Sequence, residues 1–322
     1  MANENIKGVN QKGVVEKIKN LINHNYDYVW MKLFSRIYFF KRLFLLFNRL
    51  GQVSSLTNIN MSTDKAVKLR KGASIDGIVV DLHKQGCSEK IMLNKETLSN
   101  IVDFAMNARS YAYGDPKHGF YLSEKEDCEN KLQKDILLAK YFNFQEEKVF
   151  NNLINSSILE SIATKYLGKG TKNIATQLWW TFPADVDAST RSKAAHFFHR
   201  DVDAWGFVKF FFYLTDVGKG GGPHVYVKYS HKPSILGQIF KEKLRIKRQL
   251  DTSIIKRFGN EAVSSFYGSP GDGLAVDTFG FHKGESPEQA PRLVVCAVYA
   301  TKDYGEQEFK VDPKELRAYD HM

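Results

Sequence analysis

Three cysteines in 322 residues are too few, too scattered and odd in number to make a disulfide framework. Cys87, Cys128 and Cys296 do not have the spacing of a zinc knuckle either, so a reducing compartment is the expected setting. Low-complexity tracts and internal repeats are missing, which excludes solenoids and disordered assemblies. The opening "MANENIKGVNQKG" is polar and lacks the apolar core and small-residue cleavage site of a secretory signal. Missing too is an uninterrupted apolar run long enough to cross a bilayer. The one candidate, "YVWMKLFSRIYFFKRLFLLFNRL" at 28–50, is broken by Lys32, Arg36, Lys41, Arg42 and Arg49. Phosphate-loop and kinase signatures are incomplete. "GKGGG" at 218–222 lacks the Lys-Ser/Thr ending and reads as a tight strand connection. The "HRD" at 199–201 has no partnering Gly-rich loop, and "DTFG" at 277–280 is not DFG.

What is present is a globular composition, 43% hydrophobic and 13% aromatic, in a chain long enough for a sizeable core. The net charge of +10 favours anionic partners: phosphorylated small molecules, nucleic acid or a membrane surface. Residues 1–65 read as a basic helical extension with the linker "SSLTNINMST" at 54–63, and 66–322 as the main domain. Within 28–50 taken as one helix, the charges fall on several sides. That segment is expected to pack on the main domain or a second subunit, with contact to an anionic membrane as the alternative.

Apolar periodicity predicts helices over 93–112, capped by Asn94, over 131–142, and over 145–167, closed by Gly168. After Gly170 the character changes. "NIATQLWWTF", "WGFVKFFFYL", "PHVYVKY", "DGLAVDT" and "RLVVCAVYA" are short aromatic and β-branched segments bounded by Gly, Pro and Asp. They predict an antiparallel sandwich or barrel, interrupted by a basic helical insertion at 235–259. Helices first and strands later give an α+β class. Cys296, Trp179, Trp180, Trp205 and Phe210–Phe212 are expected in its core.

His199 and Asp201 stand two apart at the mouth of one such segment. In an extended chain, residues i and i+2 share a face. A third ligand would come from a later strand, and His282 follows one after a glycine bend. Two histidines and one carboxylate on one face of an octahedron leave three positions open, which suits non-haem Fe(II). A hydrogen-bonded His–Asp pair and a zinc hydrolase site remain open on these residues alone. Arg292 begins the last apolar strand. A guanidinium aimed into a barrel needs a carboxylate, and 2-oxoglutarate could chelate iron at one end and meet Arg292 at the other.

"HRD" (199–201), "FFYLTDVGKGGGPHVYVKYSHK" (211–232) and "FHKGESPEQAPRLVVCAVY" (281–299) together resemble the phytanoyl-CoA dioxygenase-like branch of the Fe(II)/2-oxoglutarate-dependent oxygenases. The resemblance covers roughly residues 95–305. It implies a double-stranded β-helix, a cupin-like jelly roll, over about 172–302 with flanking helices. It implies Fe(II), 2-oxoglutarate and O2 as cofactors, with His199, Asp201 and His282 as iron ligands. Arg292 would hold the far carboxylate, and Gln177 would line the cosubstrate pocket. The family often has a small hydroxylated residue two after the distal histidine, where this chain has Gly284. Thr278 or Tyr213 would then supply the missing hydroxyl. Because Asp201 is present, hydroxylation with release of succinate and CO2 is favoured over halogenation.

Other basic and polar residues extend this reading. His224 is expected to face substrate, and His196 and His231 to make hydrogen bonds, His231 by capping the turn after its strand. Lys247 and Arg248 in the insertion would form a basic lid over an anionic small-molecule, sugar or lipid-linked substrate. Nucleic acid is disfavoured, because the basic residues lie in helical segments without a stacking platform. A metal-binding, non-catalytic cupin-like protein is the alternative function. The expected location is cytoplasmic, with peripheral membrane contact through 28–50 as its extension.

Overall fold

The computed structural model describes residues 26–35, 37–50, 64–232, 248–305 and 310–321. The expected linker at 54–63, most of the insertion at 235–259 and Lys247 lie outside them.

In chain order the helices are α1 (Tyr26–Phe34), α2 (Tyr38–Leu50), α3 (Ile75–Gln85), α4 (Lys95–Asn107), α5 (Lys125–Leu132), α6 (Lys148–Ile154), α7 (Ser157–Leu167), α8 (Ala188–Lys193) and α9 (Asp251–Phe258). The strands are β1 (Val67–Leu69), β2 (Cys87–Leu93), β3 (Ser110–Ala112), β4 (Gly119–Phe120), β5 (Leu138–Lys140), β6 (Lys172–Thr181), β7 (Phe207–Tyr213), β8 (His224–Val227), β9 (Val263–Phe266), β10 (Asp272–Val276), β11 (His282–Gly284) and β12 (Arg292–Ala300). They form a nine-stranded sheet in the order β1-β2-β10-β7-β12-β6-β5-β3-β4 and a three-stranded sheet β11-β8-β9. Every pairing between named strands is antiparallel.

The five apolar segments after Gly170 all become strands. The expectation of helices first and strands later does not hold, because β1 to β5 from the first half extend the large sheet on both sides. Four of these are two or three residues long, too short to show an alternating pattern. The predicted helix at 131–142 is instead the end of α5 followed by β5. Gln133 takes a left-handed conformation (φ 51°) and closes α5. The helix predicted over 145–167 is two, since Ser156 caps α7 by accepting the Leu159 N–H. Asn94 does precede α4, but its side chain donates to the Asp64 carbonyl rather than capping.

The large sheet's two faces have different partners, and strand periodicity divides them. On β7, Phe210 and Phe212 enter the main core, while Lys209, Phe211 and Tyr213 face a cavity. On β12, Leu293, Val295 and Ala297 go to the core, while Arg292 and Val294 face the cavity. The core side is covered by α3, α4, α6 and α7, whose Ile78, Leu82, Ile101, Phe150, Leu159 and Ile162 are fully buried. Each such side chain contributes about 1.5–3 kcal/mol by leaving water. β8 and β11 of the small sheet line the cavity's other side. Trp180 is a core residue as expected, but Trp179 and Phe211 line the cavity, and Trp205 stacks on Phe44 of α2 at 5.4 Å. All three cysteines are buried and free.

Asp64 ties the sheet edge to the helices. Its carboxylate accepts from the N–H groups of Ala66, Val67 and Ile158, and from the hydroxyls of Ser156 and Ser157, at 2.7–3.3 Å. Asp64→Ala would leave those donors unmatched. A loss of about 2–4 kcal/mol in denaturant unfolding is expected, with no change in metal binding.

Candidate active site

His199 and Asp201 lie ahead of β7, not within a strand. The extended segment is held by isolated bridges of Phe198 to Gln249 and His199 to His282. His199 and His282 exchange both backbone hydrogen bonds, at 2.9 and 3.0 Å, and the Asp201 N–H donates to the Thr278 carbonyl at 2.9 Å. The chain is extended there, so the two side chains still share a side. The structure thus brings His199, Asp201 and His282 together, with one donor atom from each lying within 4.8 Å of the others. His199 Nε2 is 3.6 Å from Asp201 Oδ1, and His282 Nε2 is 3.3 Å from Asp201 Oδ2. Adjacent ligands of one metal, at about 2.1 Å bonds, stand about 3 Å apart.

The histidine tautomers follow from their neighbours. His199 Nδ1 is 3.0 Å from the Phe197 carbonyl, and His282 Nδ1 is 3.0 Å from the Gly280 carbonyl. A carbonyl only accepts, so each Nδ1 carries a proton, which leaves Nε2 as the nitrogen available to a metal. Such outer hydrogen bonds are what fix the imidazoles of a metal site. Burial, followed by the His282 neighbour, lowers the His199 pKa to about 3, which keeps it neutral and ligand-ready.

Lys209 is a site residue that the sequence reading missed. Its Nζ is 2.8 Å from both Asp201 Oδ2 and Asp203 Oδ2. Burial disfavours the ammonium, but the two carboxylates outweigh it and hold its pKa above the ordinary value. Burial also works against the Asp201 charge, and Lys209 keeps that carboxyl well below the usual range. Lys209 therefore anchors Oδ2. The available signal was a lone cation inside the apolar run "FVKFFFY".

Arg292 is 5% exposed, and no carboxylate among the described residues pairs with it. Its Nη2 donates to the Thr181 hydroxyl at 3.1 Å, and its Nε is buried without a partner. Arg292 and Thr181 sit opposite each other in the β12–β6 register, which is why they meet. The hydroxyl that meets Arg292 in the structure is therefore that of Thr181. Thr278 does not line the cavity, and the Tyr213 hydroxyl is committed to the Phe266 carbonyl and the His224 N–H. A Cβ at Gly284 would stand 3.2 Å from Arg292 Nη2, so glycine there makes room for the guanidinium.

His199, Asp201, His282, Lys209, Gly284 and Arg292 line one cavity of about 320 Å³. Gln177, Tyr213 and His224 are on its wall, and the exposed Arg248 is on its lining. His224 is buried with Nε2 unpartnered, and its ring stacks 5.6 Å from His282. Lys140 and Lys193 complete a cationic lining in which Asp201 is the one carboxylate among the described residues. His196 and His231 lie outside the metal group and make the hydrogen bonds expected. His196 pairs with the Ser286 hydroxyl, and His231 Nε2 is 3.4 Å from the His83 carbonyl of α3 rather than capping its own turn.

The sequence matches no family model, and no curated protein matches it. Among solved structures, the chain is similar to the non-haem α-ketoglutarate-dependent epimerase SnoN from nogalamycin biosynthesis. The identity is 13% over 76% of this chain and 94% of that one, with a TM-score of 0.46. It is similar to EctD from S. alaskensis, solved with bound Fe, at 13% identity over 80% and 92% of the two chains and a TM-score of 0.45. It is also similar to HygX from Streptomyces hygroscopicus, solved with nickel and 2-oxoglutarate, at 15% identity over 63% and 86% and a TM-score of 0.37. What fold and site define directly is coarser: a two-sheet antiparallel α/β protein with a His-Asp-His group able to hold a metal ion. No helix among the described residues is long and apolar enough to cross a membrane.

Proposed function

We propose that this protein is an Fe(II)- and 2-oxoglutarate-dependent oxygenase of the jelly-roll type, acting on an anionic small molecule. One observation carries the reading: a His-Asp-His group shares a cavity with a buried guanidinium that lacks a carboxylate. A hydrogen-bonded His–Asp pair or a zinc hydrolase would leave Arg292 unexplained. An unmatched buried guanidinium is costly, and a ligand carboxylate is what would offset it. The donor set fits iron, since two imidazoles and one anchored carboxylate would leave a face open.

His199, Asp201 and His282 would hold Fe(II), and Arg292 with Thr181 would hold the far carboxylate of 2-oxoglutarate. Iron in that place supplies O2 activation coupled to decarboxylation of 2-oxoglutarate to succinate and CO2, with oxidation of a substrate C–H bond. The protein's own part is positioning. Lys209 fixes Asp201, the backbone carbonyls fix both imidazoles, and Trp179, Phe211 and Val294 give the cavity apolar walls that limit water. Lys140, Lys193 and Arg248 favour a negatively charged substrate. Hydroxylation is the outcome we favour over halogenation, because Asp201 would be a third protein ligand to the iron where a halide would otherwise bind.

The test is succinate formation by the purified chain with Fe(II), 2-oxoglutarate and O2. Slow, iron-dependent succinate release is expected without added substrate, abolished in His199→Ala and Asp201→Ala. Tight metal binding with no 2-oxoglutarate turnover would favour a non-catalytic ligand-binding protein. Lys209→Met keeps the side-chain volume and removes the anchor. It is expected to weaken Fe(II) or Co(II) binding about 10–100-fold in a metal titration.

A further inference from the structure

The helical extension does not turn its apolar face inward. Most large apolar side chains exposed by the described residues lie between Tyr26 and Leu50. On α2, Phe39, Phe40, Leu43, Leu46, Phe47 and Leu50 fall within an arc of about 120° at 3.6 residues per turn, and that arc faces outward. Phe39 is 57% exposed, Leu46 52%, Phe47 65% and Leu50 63%. Trp30 and Phe34 of α1 stack together, and Phe34 meets Phe40, which extends the apolar surface onto α1.

The helix's opposite side holds it to the domain, with Leu45 packed on the main core, Phe44 stacked on Trp205 and several polar contacts. Lys41 is buried 3.4 Å from Asp277, and the Asn48 amide donates to the Leu167 and Lys169 carbonyls. Arg49 donates to the Tyr166 carbonyl. This orientation is fixed by specific contacts, so the apolar arc is displayed rather than left over.

Beside that arc, between α2 and the domain, is a second cavity of about 230 Å³. Lys41, Arg42, Arg49 and Lys232 line it, with Asp277 as their one acid. Asp277 is already engaged by Lys41 and by the Tyr166 hydroxyl at 2.7 Å. No carboxylate among the described residues pairs with Arg42 or Lys232. Burial, then Arg42 and Arg49, lowers the Lys232 pKa, because the cations there outnumber Asp277. A site with this balance takes an anion with several oxygens, such as a phosphate.

We propose that residues 26–50 dock the protein on an anionic lipid surface, with the apolar arc of α2 in the acyl boundary and a lipid phosphate in the Arg42–Lys232 cavity. An apolar arc flanked by arginine, with a tryptophan joined to it through Phe34, is the pattern of an interfacial helix. A cationic cavity on the arc's flank lies where headgroups would stand. The net charge of +10 adds long-range attraction to the same surface. The docking is independent of the oxygenase reading.

The test is flotation of the full chain with vesicles of phosphatidylcholine alone and of phosphatidylcholine mixed with phosphatidylglycerol. Binding to the mixed vesicles alone is expected, weakening as salt is raised. Leu46→Gln with Phe47→Ser, and separately Arg42→Gln with Lys232→Gln, should each lower the partition at least tenfold. Val80→Gln, at an exposed apolar site on α3, should not. Circular dichroism checks that each variant is folded, and all these positions are exposed. Equal binding to neutral vesicles, or binding indifferent to Arg42 and Lys232, would overturn the phosphate cavity. Thermal stabilisation by inorganic phosphate that depends on Arg42 and Lys232, without vesicle binding, would assign the site to a soluble anion and overturn the docking. A concentration-dependent dimer that Phe47→Ser abolishes, again without vesicle binding, would overturn it in favour of self-association.

Discussion

Arg292→Ala is expected to raise the apparent KM for 2-oxoglutarate at least a hundredfold while leaving Fe(II) affinity nearly unchanged. The guanidinium is buried, donates to Thr181 and keeps a nitrogen without a partner. A buried charge-assisted pair lost from one side costs about 2–5 kcal/mol, and 1.4 kcal/mol is tenfold. Arg292→Lys should recover little, because a point ammonium cannot make the paired contact and Gly284 shapes the space for a planar group. Stability should move the other way. Without cosubstrate, Arg292→Met removes an unmatched buried charge, so its apoprotein should melt no lower than the wild type. A variant that loses stability but keeps 2-oxoglutarate affinity would make Arg292 a structural residue.

The second large effect is acid instability. Burial first, with cationic neighbours such as Arg292 for His196 and Lys232 for His231, lowers His196 to about 3 and His231 to about 4. His199 is lowered to about 3, and burial holds His224 well below the ordinary histidine value. The unfolded chain takes up these protons near pH 6.5, and the folded chain does not until pH 3–4. Their folded pKa values are lowered, so the stability is present in full above pH 6.5 and is lost as pH falls toward 4. Each contributes about 1.4 kcal/mol per pH unit, against a total of about 5–15 kcal/mol. The apoprotein should therefore unfold well above pH 4, before the depressed carboxyls of Asp201 and Asp277 begin to matter. His196→Asn should flatten the dependence by about one proton. Denaturant unfolding at several pH values measures the slope, and a flat profile from pH 6.5 to 5 would contradict it.

How much of this was legible in the sequence depended on the kind of signal. Five of the seven named strands after Gly170 were visible because they are aromatic and β-branched and bounded by turn residues; β9 and β11, of four and three residues, were not. The His-x-Asp pair, His282 and Arg292 were visible as polar residues placed against apolar strands. Thr181 and Lys209 were not found, because their roles rest on cross-strand register and on which side of a strand faces the cavity. The early strands were lost for lack of length. The expected packing of 28–50 on the main domain is what α2 does, but the segment is two helices, Tyr26–Phe34 and Tyr38–Leu50, so a phase counted through it as one helix scatters its charges. Counted within α2 alone, six large apolar residues fall on one outward side, while the other side sets Lys41 on a buried aspartate and Leu45 against the core. Amphipathicity shows that a helix has two faces; the position of Asp277, far along the chain, decides which one turns inward.

The most direct test of the central claim is anaerobic. The purified protein is loaded with Fe(II) and titrated with 2-oxoglutarate while the visible spectrum is followed for the weak charge-transfer band of a chelated keto acid. The account predicts a saturable band in the wild type, absent or strongly weakened in Asp201→Ala, and shifted to far higher 2-oxoglutarate concentration in Arg292→Ala. Tight metal binding with no band at any 2-oxoglutarate concentration would contradict it.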